Sequence, residues 1–293
     1  MKRFQGDWTV YIFGRLGIKG FEKNPKLEPS PFNLNIDHIK AILMNVFVAG
    51  TEATAATVIW VMSFSMKYPK CLKKTQAEVR DLIGKKGFVN EDDVQGLTYL
   101  KAVIKETFKL QPTAPLLVPR ETFGKCNIDG YNVPAKTLVF VNSWAIGKNL
   151  ETWENPEVFS PERFIGCSID YKGLHYELVP FGAGRRICLG MRMGVATVEL
   201  SLANLLYNFD WEMLIGMNKE DLDFEAIPGI TAYKKNSQCI VSRNTIMAMY
   251  LCHLFCYQSQ ALELLEAATV TPLTSVCRRT RVTKYYQPKH NSE

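Results

Sequence analysis

The stretch Phe181 to Gly190, FGAGRRICLG, gathers a cysteine, two arginines and three glycines in ten residues. Apolar residues then recur at helical spacing from Leu189 to about Asn208 (Leu189, Met193, Ala196, Leu200, Ala203), so Cys188 is expected just before or in the first turn of an amphipathic helix. Unpaired amides at a helix N-terminus favour a thiolate over a thiol, and a thiolate is what a soft metal requires. Arg185 and Arg186 stand beside it, and Gly184 and Gly190 flank the turn, letting backbone come close to a flat, bulky object. A buried structural cysteine after a glycine-rich turn is the plainer reading. A dinucleotide-binding turn is the weaker match, because Ile187 occupies the place of the third glycine and no clear parallel strand unit follows.

A second polar group lies far upstream. Ala49 to Thr54, AGTEAT, puts Glu52 between the hydroxyls of Thr51 and Thr54 in a run that is otherwise apolar on nearly all sides. Gly50 weakens a helix there, leaving a polar notch in an apolar rod. The notch reads either as a satisfied core cluster or as a place to hold and move protons.

These groups need elements to position them. Asp37 offers an N-cap for a helix from His38 to about Lys67, closed by Pro69, which passes through a core or spans a membrane. Glu52 near its centre costs a span roughly 2.5 to 3.5 kcal/mol, which favours the core. A charged amphipathic helix follows to Ile83, with Gly84 as C-cap; Asn90 caps a short acidic helix, and residues 98–110 form the next, stopped by Pro112. Prolines keep Pro112 to Glu121 extended, with Leu116 and Leu117 facing either a core or an apolar ligand. Asp129-Gly130 marks a hairpin turn, residues 137–141 a strand, and residues 212–242 a loop and closing hairpin that includes Tyr233 and Ile240.

The composition is globular, 47% hydrophobic against 22% charged, and sufficient for one large domain. The net charge of +6 is spread along the chain rather than clustered, which argues against a nucleic-acid partner, and the basic run from Cys277 to Lys284 reads as a solvated tail. Eight cysteines without paired spacing suit a reducing compartment. His175 reads as a lone loop histidine rather than a ligand, and the start, MKRFQGDWTV, has no apolar anchor. Three segments are expected: a poorly patterned residues 1–35, a domain over 36–242, and an unrelated tail over 243–293, partly helical or disordered, that includes His253.

The pattern Phe-x-x-Gly-x-Arg-x-Cys-x-Gly, filled by Phe181, Gly184, Arg186, Cys188 and Gly190, closely resembles the haem-thiolate loop of the cytochrome P-450 monooxygenases. The resemblance covers about Ile36 to Ser242 and is closest to the C-terminal half of plant microsomal members. It implies a mainly α fold with a small β component, incomplete because the N-terminal half is missing. It also implies Cys188 as axial iron ligand, Phe181 packed by the haem, Gly184 and Gly190 permitting the turn, and Arg186 and Arg120 on the propionates. Glu52 and Thr54 become the catalytic proton relay, although Ala53 occupies the usual threonine position. KETFKL and PERF (Pro161 to Phe164) resemble the family's buried charge triad, with Lys109 in place of its arginine beside Glu106 and Arg163. The implied activity inserts one oxygen atom from dioxygen into a small, mostly apolar substrate, with electrons from an NADPH-dependent reductase. The family's place is the endoplasmic reticulum membrane surface; the lack of an anchor in this chain points instead to the cytoplasm. Two further readings remain: a degenerate, non-catalytic member, and a haem-thiolate isomerase or dehydratase.

Overall fold

The computed structural model describes residues 36–213, 216–236 and 240–242. The expectations for residues 1–35 and 243–293 lie outside that range. Four helices make the body. Helix α1 (Ile36–Lys67) ends where Pro69 forces Tyr68 out of the helical region, and Pro69 then serves at the first position of α2 (Pro69–Ile83). Helix α2 buries Cys71, Leu72, Thr75, Gln76, Val79 and Ile83, one stripe at three- and four-residue spacing, and stops at Gly84, whose φ of 57° suits glycine. The short α3 (Glu91–Val94) carries the expected capping box between Asn90 and Asp93.

Helix α4 (Thr98–Leu110) has no side-chain cap of its own at Leu97. Glu78 of α2 supplies one instead, accepting from the amides of Tyr99 at 2.6 Å and Leu100 at 2.9 Å and from the Thr98 hydroxyl at 3.0 Å. That carboxylate meets the positive end of α4 and fixes its angle to α2. Helix α6 (Met191–Asn208) packs against α1, α2 and α4, and Trp60, Leu100, Val103, Ile104, Leu202 and Leu206 form the fully buried centre between them. Each such side chain contributes about 1.5 to 3 kcal/mol of burial.

Helix α1 is long and apolar enough, by length and composition, to cross a membrane. From Ala56 to Met66 it is nevertheless a core helix, whereas Ile42, Met44, Val46 and Phe47 of its first half are exposed. The core reading therefore holds for the second half.

The β component is four small antiparallel pairs. Strand β1 (Arg120–Glu121) pairs with β4 (Leu138–Val139), while β2 (Cys126–Ile128) and β3 (Tyr131–Val133) form the hairpin around Asp129-Gly130. The 137–141 strand thus pairs back with the segment after the prolines. Helix α5 (Ser143–Ile146) follows. Near the C-terminal end the closing hairpin proves to be two pairs, β5 (Trp211–Met213) with β8 (Ile240–Ser242), enclosing β6 (Ala226–Ile227) with β7 (Tyr233–Lys234). Strand β7 packs on α1, anchored by the Trp60 indole N–H, which donates to the Ala232 carbonyl at 2.9 Å.

Candidate active site

The cysteine loop closes on itself through its backbone. The Cys188 amide donates to the Phe181 carbonyl at 3.0 Å, Gly182 to Val179 at 3.0 Å, and Ile187 to Gly184 at 3.2 Å across a 3-10 turn, Gly184–Arg186. Gly182 and Gly184 have φ of 73° and 70°, and a Cβ on Gly184 would meet nothing within 4 Å. Gly190 is the residue before α6, and a Cβ there would stand 4.0 Å from the Cys188 sulfur. Cys188 itself is exposed, two residues ahead of that cap. The Phe181 ring packs on Phe108 and Tyr171.

Arg120 comes to this loop from β1 and donates through Nη2 to the Arg186 carbonyl at 3.0 Å. Arg120, Arg185 and Arg186 line one open cavity of about 460 Å³, whose other walls include Leu117, Val118, Val141 and Val179. Leu117 holds φ at 53°, a left-handed backbone rare for leucine, while Leu116 is exposed. Of the two leucines, Leu117 is the one the structure brings to the cavity.

Glu52 is exposed and Thr54 half-buried on α1. Burial first, and then hydrogen bonding to and the charge of Glu52, push the Tyr233 phenol well above its usual pKa, so Glu52 faces β7. Thr51 and Thr57 are spent on helix carbonyls, Thr51 to Phe47 at 2.7 Å and Thr57 to Ala53 at 2.8 Å.

Behind the loop lies the charge triad. Glu106 and Lys109 are fully buried, with Lys109 Nζ 3.3 Å from Glu106 Oε1 and 2.8 Å from the Pro156 carbonyl. Arg163, in the 3-10 turn Pro161–Phe164, places Nε 3.0 Å from Glu106 Oε2, close enough for an ion pair but off the line of a hydrogen bond, so both atoms lack a hydrogen-bond partner. The Arg163 guanidinium also donates to the carbonyls of Glu154, Asn155 and Val158. Burial pulls Lys109 down in pKa and Glu106 up, and the pair's mutual attraction opposes both. An ordinary surface pair between Glu106 and Lys109 is thereby excluded.

A family model for cytochrome P450 matches residues 21–240, beginning ahead of Ile36. This chain belongs to the cytochrome P450 family. It is 50% identical over 215 residues to a desmethyl-deoxy-podophyllotoxin synthase of Sinopodophyllum hexandrum, and 50% identical over 210 residues to cytochrome P450 71B37 of Arabidopsis thaliana. These alignments cover 73% and 72% of this chain but 42% of each relative, so the chain spans about two fifths of the length of the curated relatives it matches. A zebra fish cytochrome P450 solved with progesterone superposes with a TM-score of 0.66 at 26% identity, covering 74% of this chain and 49% of that one. The P450 fold, mainly helical with few strands, is present here in part.

The residues fit the haem that the family implies. A haem is an apolar plate with two carboxylates on one edge. Three guanidinium groups and an apolar wall share one cavity here; Cys188 does not line it but stands exposed two residues after Arg186, in the loop of Gly184, where an added Cβ would meet nothing within 4 Å.

Two features escaped the sequence. The cap from Glu78 had no local signal, because donor and acceptor lie on different helices. Tyr171 stands in what reads as a polar loop, and only its aromatic side chain hinted at the ring cluster with Phe181.

Proposed function

We propose that the chain is the haem-binding part of a P450 monooxygenase, residues 36–242 forming that unit, with residues 1–35 an N-terminal segment and 243–293 an unrelated tail. The observation that carries this reading is the Cys188 turn, closed on Phe181 and joined to Arg120 through the Arg186 carbonyl. Cys188 would hold the haem iron through its thiolate and is the metal-binding residue of this reading. Arg120 and Arg186 neutralise propionates, Gly184 and Gly190 permit the turn, and Phe181 braces it. Bound haem supplies dioxygen chemistry, helped by the electron push of a thiolate ligand.

The chain's own part is to bind, orient and move protons. Leu117, Val118 and Val141 give the apolar wall that the haem plate would meet, and the substrate in this reading is a small, mostly apolar molecule, as for the family. Glu52 and Thr54 form the catalytic proton relay of this reading, with Tyr233 beside Glu52. Electrons come from NADPH through a reductase on the Cys188 side, and the place of action is the endoplasmic reticulum membrane surface.

Ala53 favours a second reading, a haem-thiolate isomerase or dehydratase, which needs no external electrons. One experiment tests both. The chain is expressed with haem supply, reduced and exposed to carbon monoxide. A red-shifted Soret band, lost in Cys188→Ser, is the expected result. No haem uptake overturns the proposal in favour of a degenerate member. A thiolate band without reductase-dependent oxygen consumption moves it to the isomerase.

A further inference from the structure

The turn from Asp170 to His175, a short way upstream of Cys188 in the chain, presses on the cysteine loop at two points. Tyr171 packs its ring 5.7 Å from Phe181 at 63° and 5.7 Å from Phe108 at 77°, while Phe108 and Phe181 stand 5.3 Å apart at 79°. All three contacts are edge-to-face, the arrangement aromatic quadrupoles prefer. Phe181 is also the residue whose carbonyl receives the Cys188 amide. The second point is Gly173, with φ of 85°; a Cβ there would come 2.7 Å from Ile187 Cδ1 and 3.4 Å from the Ala183 Cα. Ile187 is the neighbour of Cys188 in the chain.

The turn is itself firmly tied. The Asp170 amide donates to His175 Nδ1 at 3.1 Å, and the Lys172 amide to Asp170 Oδ1 at 2.9 Å. Lys105 of α4 donates to the Ile169 carbonyl at 3.1 Å, fastening the turn to the helix that carries Phe108, Glu106 and Lys109. On its other side the cysteine loop is open, with Leu189 fully exposed and Cys188 exposed.

We propose that the turn Asp170–His175 is a latch that sets the position of the Cys188 sulfur, with Tyr171 acting through Phe181 and Gly173 acting through Ile187 as positioning residues. The inference rests on the haem-thiolate reading for its purpose, but the mechanical coupling stands on packing alone. An alanine at Gly173 would be held at the left-handed φ of 85° and would crowd the Ile187 Cδ1, straining the turn where it presses on the loop, and loss of the Tyr171 ring frees Phe181; either loosens the Phe181–Cys188 hydrogen bond. Neither change touches Cys188 directly.

The test uses the full chain with Gly173→Ala, Tyr171→Leu and, as the conservative variant, Tyr171→Phe. Amide hydrogen exchange over residues 181–190 is followed without haem, with α2 as reference. Exchange of the loop should rise about tenfold in Gly173→Ala and Tyr171→Leu and stay at the parent rate in Tyr171→Phe, with α2 unchanged. With haem, the first two variants should lose part of the thiolate Soret band of the ferrous carbon monoxide complex while keeping bound haem. Loop exchange at the parent rate in both variants, or an equal rise in α2, overturns the latch. A parent chain with no thiolate band overturns the haem reading instead, and the exchange result still decides this one.

Discussion

Lys109 Nζ lies 3.3 Å from Glu106 Oε1, with neither side chain exposed to solvent. Lysine offers a single ammonium where a guanidinium would offer a fork, and its reach is spent on one carboxylate oxygen and the Pro156 carbonyl. Arg163 serves the other oxygen by charge alone. The network is complete in charge and incomplete in hydrogen bonds, so it depends on each member being present.

Lys109→Met should therefore be costly. It leaves a buried carboxylate with one cation and removes the ammonium that ties the end of α4 to Pro156. The expected loss is about 3 to 5 kcal/mol, read from urea unfolding. A loss below about 1 kcal/mol would mean that the pair is solvated in solution.

Gly147→Ala probes the same corner from outside. A Cβ on Gly147 would collide with the Lys109 carbonyl, a backbone atom that cannot rotate away. Overpacking of this kind costs about 1 to 3 kcal/mol, and the urea midpoint should fall accordingly.

Legibility in the sequence followed the range of the interactions. Helix α2 and the Asn90 cap were readable because their signals lie within a few residues of one another. The Phe181–Cys188 turn was readable because its glycines and cysteine are contiguous. The nesting of β6 and β7 inside β5 and β8 was not, since strands of two or three residues carry too little alternation to fix a partner. Nor was the placement of Tyr233 beside Glu52, some 180 residues apart in sequence. Pairings across that separation are set by packing, and no local pattern encodes them.

Glu78→Ala tests the cap on α4. The carboxylate accepts from two backbone amides and a hydroxyl that α4 cannot otherwise satisfy. Its removal should cost about 1 to 2 kcal/mol, and Glu78→Gln less, since the amide keeps one acceptor without the charge. Hydrogen exchange should rise first in residues 98–102.

Arg120→Met should weaken haem binding while leaving the fold intact, because Arg120 is half-buried at a cavity wall and its hydrogen bond is to the Arg186 carbonyl. A charged hydrogen bond of about 1.5 to 3 kcal/mol corresponds to roughly a ten- to hundredfold loss of affinity, measurable by haem titration. Unchanged affinity would remove Arg120 from the propionate site.

Glu199 gives a pH signature independent of haem. It sits buried on α6, where burial raises its pKa above 4.5 and only the charge of Lys101 opposes the rise. Between pH 4.5 and that raised value the folded chain binds more protons than the unfolded chain, so stability falls as pH rises through the window. The contribution is fully present below pH 4.5, where both states are protonated, and is lost above the folded pKa, where an ionised carboxylate is held in the core. Glu199→Gln removes the ionisation and keeps the shape. It should unfold at higher urea than the parent at neutral pH, and the gap should close as the pH is lowered toward 4.5. A gap that persists unchanged at acid pH would trace the effect to packing rather than to charge.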